Sequence, residues 1–334
     1  MRLTSEEDLV ERARAANVRP LWTNALAHGA NRTEAAPLLW AWRDIAPLVE
    51  EAAALTTTDV VERRVLSLVD PRYPENGTAS TRNLNAGFQV LMPGERARPH
   101  RHSMNAIRFV VEGCGATTIV DGKACPMNWG DLILTPAWTW HEHAHDGDER
   151  IVWLDVLDAQ LHRFLETDAF EPGPVHDLER PPDDAAFAHA AMLPEGTYGA
   201  HSPMFSYPWQ SALGALRATP AGPDGMRRVR YVNPATGGAV MSLLDCALWD
   251  IGAGVSTRPA STTAHQICTV VEGSGTTHVG DTTIRWGPRD VFALPAGRPA
   301  RHTAGNADAR IFVVSDREVL RRLGLLVERV HDAR

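Results

Sequence analysis

The spacing of apolar and polar residues predicts helices at the amino-terminal end of the chain and β-strands over most of the rest. TSEEDLVERARAAN begins with a helix-capping Thr/Ser followed by acids, and PLLWAWRDIAPLVEEAAAL carries apolar residues at helical spacing. From about residue 80 the pattern changes to short β-branched runs interrupted by Gly, Pro and Asp-Gly, as in RFVVEGCGATTIVDGKACPMNWGDLILTP. We therefore expect a helical arm followed by antiparallel β structure.

One pattern occurs twice in the β region. VVEGCGATTIVDG…WGDLILTPAWTWH, from residue 110, returns as VVEGSGTTHVGD…WGPRDVFALPAGRPA, from residue 270. This internal repeat predicts two copies of one β-domain. The expected ranges are a helical arm over 1–75, a first barrel over 76–165, a linker with the short helix WQSALGALRA over 166–235, a second barrel over 236–320 and a C-terminal tail over 321–334.

Composition narrows the class of protein. The 334 residues are 44% hydrophobic and 22% charged, which is enough for two domains with buried cores. Interspersed charges with a net value of -8 argue against nucleic acid or an anionic membrane as a partner. The acidic start is unlike a signal peptide and no segment is long enough to span a bilayer, so we expect a cytoplasmic protein. The four cysteines lack CxxC spacing, which predicts reduced thiols.

Histidines are concentrated in the first repeat. It contains three His-x-His pairs, namely His100/His102, His141/His143 and His143/His145. Because alternate residues of a strand face the same side, the members of each pair project together. A Gly and five further residues precede the first pair, and the second follows a Gly-x5-Pro-x4-His pattern; these are the two half-motifs of the cupin barrel. Three neutral imidazoles suit iron, copper, nickel or zinc.

The second repeat lacks these imidazoles. Alignment places Ala260, Thr262 and Ala300 where the first repeat has His100, His102 and His141. His265 and His302 lie nearby but out of register, which favours a structural or interface role for both. We therefore expect the metal chemistry in the first barrel alone.

An arginine accompanies the histidines. Arg108 lies six residues after His102, so it has the same strand parity and should project into the same cavity. A buried guanidinium needs an anion, and a substrate carboxylate is well suited to its planar fork. The alternative is an ion pair between Arg108 and a structural acid such as Asp155.

Several blocks, in order, resemble the gentisate 1,2-dioxygenase family with its salicylate and hydroxynaphthoate dioxygenase relatives. They are ERRVLSLVDP, AGFQVLMPGE, HRHSMNAIRFVVEG, GDLILTPAWTWHEHAHDGDERIVWLDVLD, SPMFSYPW and NPATGGAVMSLLDCALW. The resemblance implies an all-β dominated bicupin of two jelly-roll barrels, often a homotetramer, with one Fe(II) per chain. It implies ring cleavage by dioxygen between the carboxyl-bearing and hydroxyl-bearing carbons, in the degradation of aromatic compounds. The positions carried over are the iron ligands His100, His102 and His141, the carboxylate clamp Arg108, the acid/base or oxygen-positioning group His143, the supporting carboxylate Asp155, and the pocket residues Gln89, Gly87 and Arg64.

Two positions depart from the family pattern. Asn85 stands where relatives usually carry Trp or Tyr, and His145 stands where they commonly carry Asn. An amide beside the substrate ring would give a roomier, hydrogen-bonding pocket, so we expect gentisate or a 5-substituted salicylate as substrate. Two alternatives stay open: a cupin that senses or stores a small acid, and a cupin isomerase or hydrolase with another metal.

Overall fold

The computed structural model describes residues 5–18, 36–73, 77–175, 178, 180–189, 192–196 and 198–332. The chain divides into two units, residues 1–35 and 36–334. The first contains helix α1 (Glu6–Ala15), where Ser5 accepts a hydrogen bond from the Asp8 amide at 3.1 Å. The predicted acids lie in its first turn, and arginines in its last turn also match the helix dipole. Thr4, the other predicted capping residue, lies outside the described residues.

The second unit begins with β1 (Leu38–Trp40) and α2 (Trp42–Leu55) and continues with two barrels. The first barrel contains β2 (Val65–Leu68), β3 (Asn85–Leu91), β4 (Arg96–His102), β5 (Ala106–Glu112), β6 (Cys114–Val120), β7 (Lys123–Asn128), β8 (Leu132–Thr135), β9 (His141–His145), β10 (Ile151–Leu157), β11 (Phe170–Pro172) and β12 (Ser206–Tyr207). Its sheets have the orders β12-β8-β5-β10-β3-β2 and β11-β4-β9-β6-β7. Helix α3 (Ala159–Phe164) and a 3-10 helix (Asp184–Phe187) lie between these strands in sequence.

Helix α4 (Trp209–Ala218) leads into the second barrel, and α5 (Arg317–Arg322) follows its last long strand. The strands are β13 (Arg227–Arg230), β14 (Asp245–Ile251), β15 (Ala260–Thr262), β16 (Gln266–Glu272), β17 (Gly275–Val279), β18 (Thr282–Trp286), β19 (Val291–Leu294), β20 (Ala300–Ala304), β21 (Ala309–Ser315) and β22 (Glu328–Val330). The sheet orders are β1-β19-β16-β21-β14-β13 and β18-β17-β20-β15-β22. The predicted fold class, an all-β dominated bicupin, is confirmed. No described helix is both long and apolar enough to cross a bilayer.

Six short strands lie outside the ranges expected for the barrels. β1 and β2 fall in the expected arm, β11, β12 and β13 in the expected linker, and β22 in the expected tail. Each is the edge strand of its sheet. The apolar spacing of PLLWAWRDIAPLVEEAAAL predicted one helix, but its first residues form β1, which pairs with β19. The helix begins later because the Trp42 amide donates to Asp290 Oδ1 at 2.7 Å.

The two six-stranded sheets pack against each other and leave the barrel interiors separate. Their apolar faces share one buried cluster with α4, in which the rings of Phe109 and Phe312 stack at 4.1 Å. On β3, Phe88 belongs to this cluster, whereas Gln89 has the opposite parity and faces the first barrel's interior. The interior faces are therefore where polar side chains can approach one another.

Candidate active site

The three predicted metal ligands lie together inside the first barrel. β4 and β9 are antiparallel, with His100 directly opposite His141, and His102 projects from the same face of β4. Ring centroids lie 4.4 Å apart for His100 and His141 and 4.8 Å apart for His102 and His141. One ligand nitrogen from each ring lies within 4.8 Å of the others, and all three side chains are buried. The three imidazoles can therefore share one metal ion.

Hydrogen bonds orient two of these rings toward a common ion. His102 Nδ1 lies 2.8 Å from the Met104 carbonyl, and His141 Nδ1 lies 3.0 Å from the Thr139 carbonyl. Because a carbonyl oxygen only accepts, each Nδ1 must donate, which leaves Nε2 with its lone pair. His141 Nε2 is buried and has no hydrogen-bond partner among the described residues. This orphaned nitrogen fits a metal ligand.

The environment keeps the imidazoles neutral. Burial lowers the pKa of His100 to about 2, and the charges of Arg63 and Arg108 act in the same direction. Burial and the Arg108 charge lower the pKa of His102 to about 4 and that of His141 well below its ordinary value. Neutral imidazole is the form that binds a metal ion, so these three histidines need not lose a proton before a cation binds.

Arg108 and Asp155 lie side by side inside the first barrel, and Arg108 is close enough to the three histidines to affect their pKa values. They are cross-strand neighbours on β5 and β10, and Arg108 Nε lies 3.3 Å from Asp155 Oδ1. The ion pair left open by the sequence is therefore present. Asp155 Oδ1 also accepts from Trp153 Nε1 at 3.1 Å, and the Arg108 guanidinium donates to Thr135. Asp155 and Thr135 thus fix the direction of the guanidinium.

His143 lies next to the three ligands. It is fully buried, with Nδ1 2.9 Å from Thr118 Oγ1 and its ring centroid 6.4 Å from that of His141. Burial and the charge of Arg108 hold its pKa well below the ordinary value. Its Nε2 has no partner in the part of the chain that the structure describes. A neutral imidazole with one open nitrogen is equipped to accept a proton from a ligand.

Gln89 and Gly87 complete this face of the barrel. Gln89 is 1% exposed, and neither atom of its amide has a hydrogen-bond partner among the described residues. An unsatisfied buried polar group costs about 1–3 kcal/mol, which a polar ligand group would relieve. At Gly87 a Cβ would lie 2.8 Å from Val65 Cγ1, so glycine lets β2 approach β3 closely here.

The Asn85 amide is hydrogen-bonded within the protein. Its Nδ2 donates to the carbonyl and the hydroxyl of Thr78, both at 2.7 Å, and its Oδ1 accepts from Gln160 Nε2 at 3.0 Å. Strand parity places Asn85 on the inner face, but it is the first residue of β3 and lies against the preceding loop and α3. Both atoms of the amide therefore have protein partners, and its donation to a ring substituent stays a prediction.

Arg64, a predicted pocket residue, points away from the histidines. It donates to the Ala53 carbonyl at 3.1 Å and the Thr56 carbonyl at 2.9 Å, and it forms a close ion pair with Glu95. It therefore stabilises the carboxyl end of α2. Its place in the pocket stays a prediction, whereas Arg63 has the inward parity shared with Val65, which lies opposite Gln89.

Arg63 and Glu62 are functional candidates that the sequence analysis missed. Arg63 donates to Glu62 Oε1 at 2.9 Å and to the Arg98 carbonyl at 3.1 Å, while its buried Nε lacks a partner among the described residues. Burial and the Arg108 charge lower the pKa of Arg63 to about 10. Glu62 Oε1 lies 3.3 Å from His100 Nδ1, the position of a carboxylate that orients a ligating histidine. The inward side of Arg63 follows from the register of Val65 with Gln89, which the local sequence does not mark.

Two further histidines have structural surroundings. His145 Nε2 lies 2.5 Å from the Glu149 carbonyl and its Nδ1 accepts from the Gly147 amide, so it holds the turn after β9. In the second barrel, Ala260 lies opposite Ala300 as His100 lies opposite His141. His302, two residues after Ala300, therefore corresponds to His143 and not to any of the three ligand positions.

Comparisons with known proteins show what the chain is similar to. The sequence profile described as "Cupin domain" matches residues 87–157. The chain is 34% identical to gentisate 1,2 dioxygenase 1 of Aquipseudomonas alcaligenes, over 92% of this chain and 91% of that protein. It belongs to the gentisate 1,2-dioxygenase family. It is also 35% identical to the 5-aminosalicylate 1,2-dioxygenase of a Comamonas species, over 99% of this chain and 91% of the relative.

A solved structure of the gentisate 1,2-dioxygenase family covers the whole chain. It is a variant of the salicylate 1,2-dioxygenase from Pseudoaminobacter salicylatoxidans in complex with gentisate, with a TM-score of 0.90 and 28% identity over 100% of this chain and 97% of that one. The predicted family and the predicted enzyme class, a ring-cleaving 1,2-dioxygenase, are confirmed.

Proposed function

We propose that this protein uses Fe(II), one per chain, to open the ring of a 2-hydroxybenzoate with dioxygen between the carboxyl-bearing and hydroxyl-bearing carbons. The observation that carries the proposal is the cluster of three buried, neutral imidazoles facing the guanidinium of Arg108. Neutral ligands leave the full charge of a divalent ion available to an anionic substrate. When bound, Fe(II) supplies Lewis acidity toward the substrate oxygens and redox chemistry toward dioxygen.

The protein side chains have separable roles in this proposal. Arg108, held by Asp155, binds the substrate carboxylate, and Arg63 adds positive charge beside it. His143 accepts the proton of the ring hydroxyl at Nε2, since Nδ1 is engaged by Thr118. Together these groups orient the acid so that its carboxyl-bearing edge faces the three histidines.

Gln89 is our candidate for the residue that recognises the substituent on the substrate ring. Asn85 is saturated by Thr78 and Gln160, whereas both atoms of the Gln89 amide are open among the described residues. An amide both donates and accepts, so it can pair with a ring hydroxyl or amino group. We therefore propose gentisate or a 5-substituted salicylate as substrate. A homotetrameric assembly and a cytoplasmic location remain predictions, to be tested by light scattering and cell fractionation.

Oxygen uptake by the Fe(II)-loaded protein tests this function directly. Gentisate, salicylate and 5-aminosalicylate are compared with benzoate, which has the carboxylate but lacks the hydroxyl. We expect uptake with the 2-hydroxy acids, accompanied by loss of the aromatic absorbance, and none with benzoate. Equal activity of protein loaded only with zinc, or uptake with none of the four acids, would contradict the proposal.

A further inference from the structure

The second barrel contains a cavity of about 320 Å³ where the first barrel has its histidine cluster. Ala260, Thr262 and Ala300 line it in place of the three imidazoles. His302 also lines it, with Nδ1 2.8 Å from Thr277 Oγ1, as His143 is bound to Thr118. Small-molecule sites begin at about 300 Å³, so the volume freed by the missing rings is large enough for a small ligand.

The second barrel lacks a charged pair like that of Arg108 and Asp155. Arg108 lies opposite Asp155 in the first barrel, and the corresponding cross-strand pair in the second is Cys268 and Val313. Both are buried. A ligand of the second barrel therefore cannot be held in the way that we propose for the first.

A different guanidinium lines this cavity. Arg228 on β13 lies opposite Trp249 on β14, at the position where the first barrel has Val65 opposite Gln89. Its guanidinium carbon lies 5.3 Å from the centre of the Trp249 ring. Asp224, 2% exposed, accepts from Arg228 Nη1 at 2.8 Å and binds Nη2 as well. A guanidinium has five N–H donors, so this pair fixes its direction and leaves others for a ligand.

The remaining charged groups make the cavity favourable for an anion. Arg258, Arg298 and Arg329 also line it, and Arg258 donates to Asp332 at 3.0 Å. Of the lining acids, Asp224 is engaged by Arg228, while Glu328 accepts from Arg317 at 3.0 and 2.8 Å. Apolar surface comes from Leu294, Pro295 and the two alanines that replace histidines. The lining thus combines positive charge with an apolar, partly aromatic wall.

We propose that the second barrel binds a small aromatic carboxylic acid, with its carboxylate on Arg228 and its ring against Trp249 and Ala300. The planar fork of the guanidinium suits a carboxylate, and the indole supplies a flat contact for the ring. This site is separate from the histidine cluster, and its existence does not depend on the reaction proposed for the first barrel.

Equilibrium dialysis of the full-length, iron-loaded protein against benzoate tests the site under anaerobic conditions. The double variant Asp224→Asn/Arg228→Met removes the guanidinium without leaving a buried unpaired carboxylate. It should weaken one benzoate site per chain at least tenfold and leave oxygen uptake with salicylate unchanged. Arg285→Met, an exposed arginine on the same barrel, serves as the matched control and should bind as the wild type does.

A second variant makes the result independent of the charged pair. Ala300→Leu places extra atoms in the cavity and should also weaken that benzoate site at least tenfold, whether or not the double variant folds. Arg108→Leu should leave the site intact. Unchanged benzoate binding in Ala300→Leu, or loss of all benzoate binding in Arg108→Leu, would overturn the second-barrel site. Failure of the proposed dioxygenase function would appear separately, as absent oxygen uptake in the wild type.

Discussion

At the scale of single residues, Arg63 and Arg64 are adjacent in sequence and have opposite roles. Arg63→Leu removes a cation beside His100 and Arg108, so the KM for salicylate should rise at least tenfold while the melting temperature changes little. Arg64→Leu is the matched control. It leaves Glu95 and two helix carbonyls without their partner, which should cost about 3 kcal/mol of stability. Steady-state kinetics and urea unfolding measure both.

The reverse result would assign the pocket to Arg64. A raised KM in Arg64→Leu at unchanged stability would mean that Arg64, and not Arg63, projects to the same side as Val65. Because a shift of one residue moves every side chain of a strand to its other face, these two variants decide the register.

The ligand histidines give a second prediction, on metal content. His100→Ala/His102→Ala removes two of three imidazoles, so bound iron should fall from about one per chain to background. His302→Ala changes a buried histidine of the second barrel, where alanines occupy two ligand positions, and should retain the metal. Elemental analysis after dialysis measures this. Iron retained by the double variant would contradict a site in the first barrel.

Gln89 and Asn85 give a third prediction, on substrate choice. Gln89→Leu removes an amide with no protein partner among the described residues. It should change the kcat/KM ratio of 5-aminosalicylate to salicylate about tenfold, equivalent to about 1.4 kcal/mol. Asn85→Ala releases Thr78 and Gln160 and should lower activity on both acids by the same factor. An equal decrease of kcat/KM for both acids in Gln89→Leu would show that other residues recognise the substituent.

The histidine cluster could be predicted from sequence, whereas the pocket around it could only partly be predicted. Alternation within a strand places His100 and His102 on one side without further information. The side of Arg63 depends on where β2 begins, which no local pattern marks. Gln160, one of the two partners of the Asn85 amide, lies 75 residues away on α3, and only the folded chain brings the two together.

At the scale of elements, the position of helix α4 explains why the Gly-x5-Pro-x4-His motif begins with glycine. Gly130 has φ +82°, and a Cβ there would lie 2.8 Å from the Trp209 ring at the start of that helix. Gly130→Ala should therefore destabilise the fold by about 3 kcal/mol, through backbone strain and displacement of the ring. Gly94, with φ +80° and nothing within 4 Å, is the matched control. Gly94→Ala should cost about 1 kcal/mol, from strain alone.

Chemical unfolding of the two glycine variants separates these contributions. Equal destabilisation would mean that contact with Trp209 contributes nothing and that the motif requires glycine only for its backbone angle. Iron content should stay near one per chain in both folded variants, because neither glycine touches the histidine cluster.

The elements that the sequence predicted are those with a local signal of their own. α1 has a capping residue and an acidic first turn, α4 has apolar residues at helical spacing, and the long strands of both repeats are β-branched runs between turn residues. The six short strands outside the expected barrel ranges are two to four residues long, as β12 (Ser206–Tyr207) and β2 (Val65–Leu68) illustrate. Such short segments become strands only because a sheet edge offers them hydrogen bonds, which is a property of the assembled fold.

At the scale of the whole molecule, each six-stranded sheet packs one face against the other barrel and lines the interior of its own barrel with the opposite face. β5 is buried on both faces: Phe109 packs toward the second barrel, and Arg108, one residue earlier, projects into the first. The internal repeat predicted the two barrels, and the alanines at ligand positions predicted where the metal site would be missing. The packing of one barrel on the other could not be predicted, because a strand buried on both faces lacks alternation.

The stacked rings of Phe109 and Phe312 test whether the barrels stabilise each other. Each Phe→Ala change removes a buried ring and should cost about 3–5 kcal/mol of unfolding free energy. Because the rings contact each other across the sheets, the double variant should cost less than the sum of the single variants, by about 1 kcal/mol. Phe109→Ala combined with Phe292→Ala is the control, since Phe292 lies in the interior cluster of the second barrel and stacks on Trp286. We expect additivity there and a shortfall for the stacked pair, measured by urea unfolding. Additivity in both pairs would mean that the sheets pack without energetic coupling through these rings.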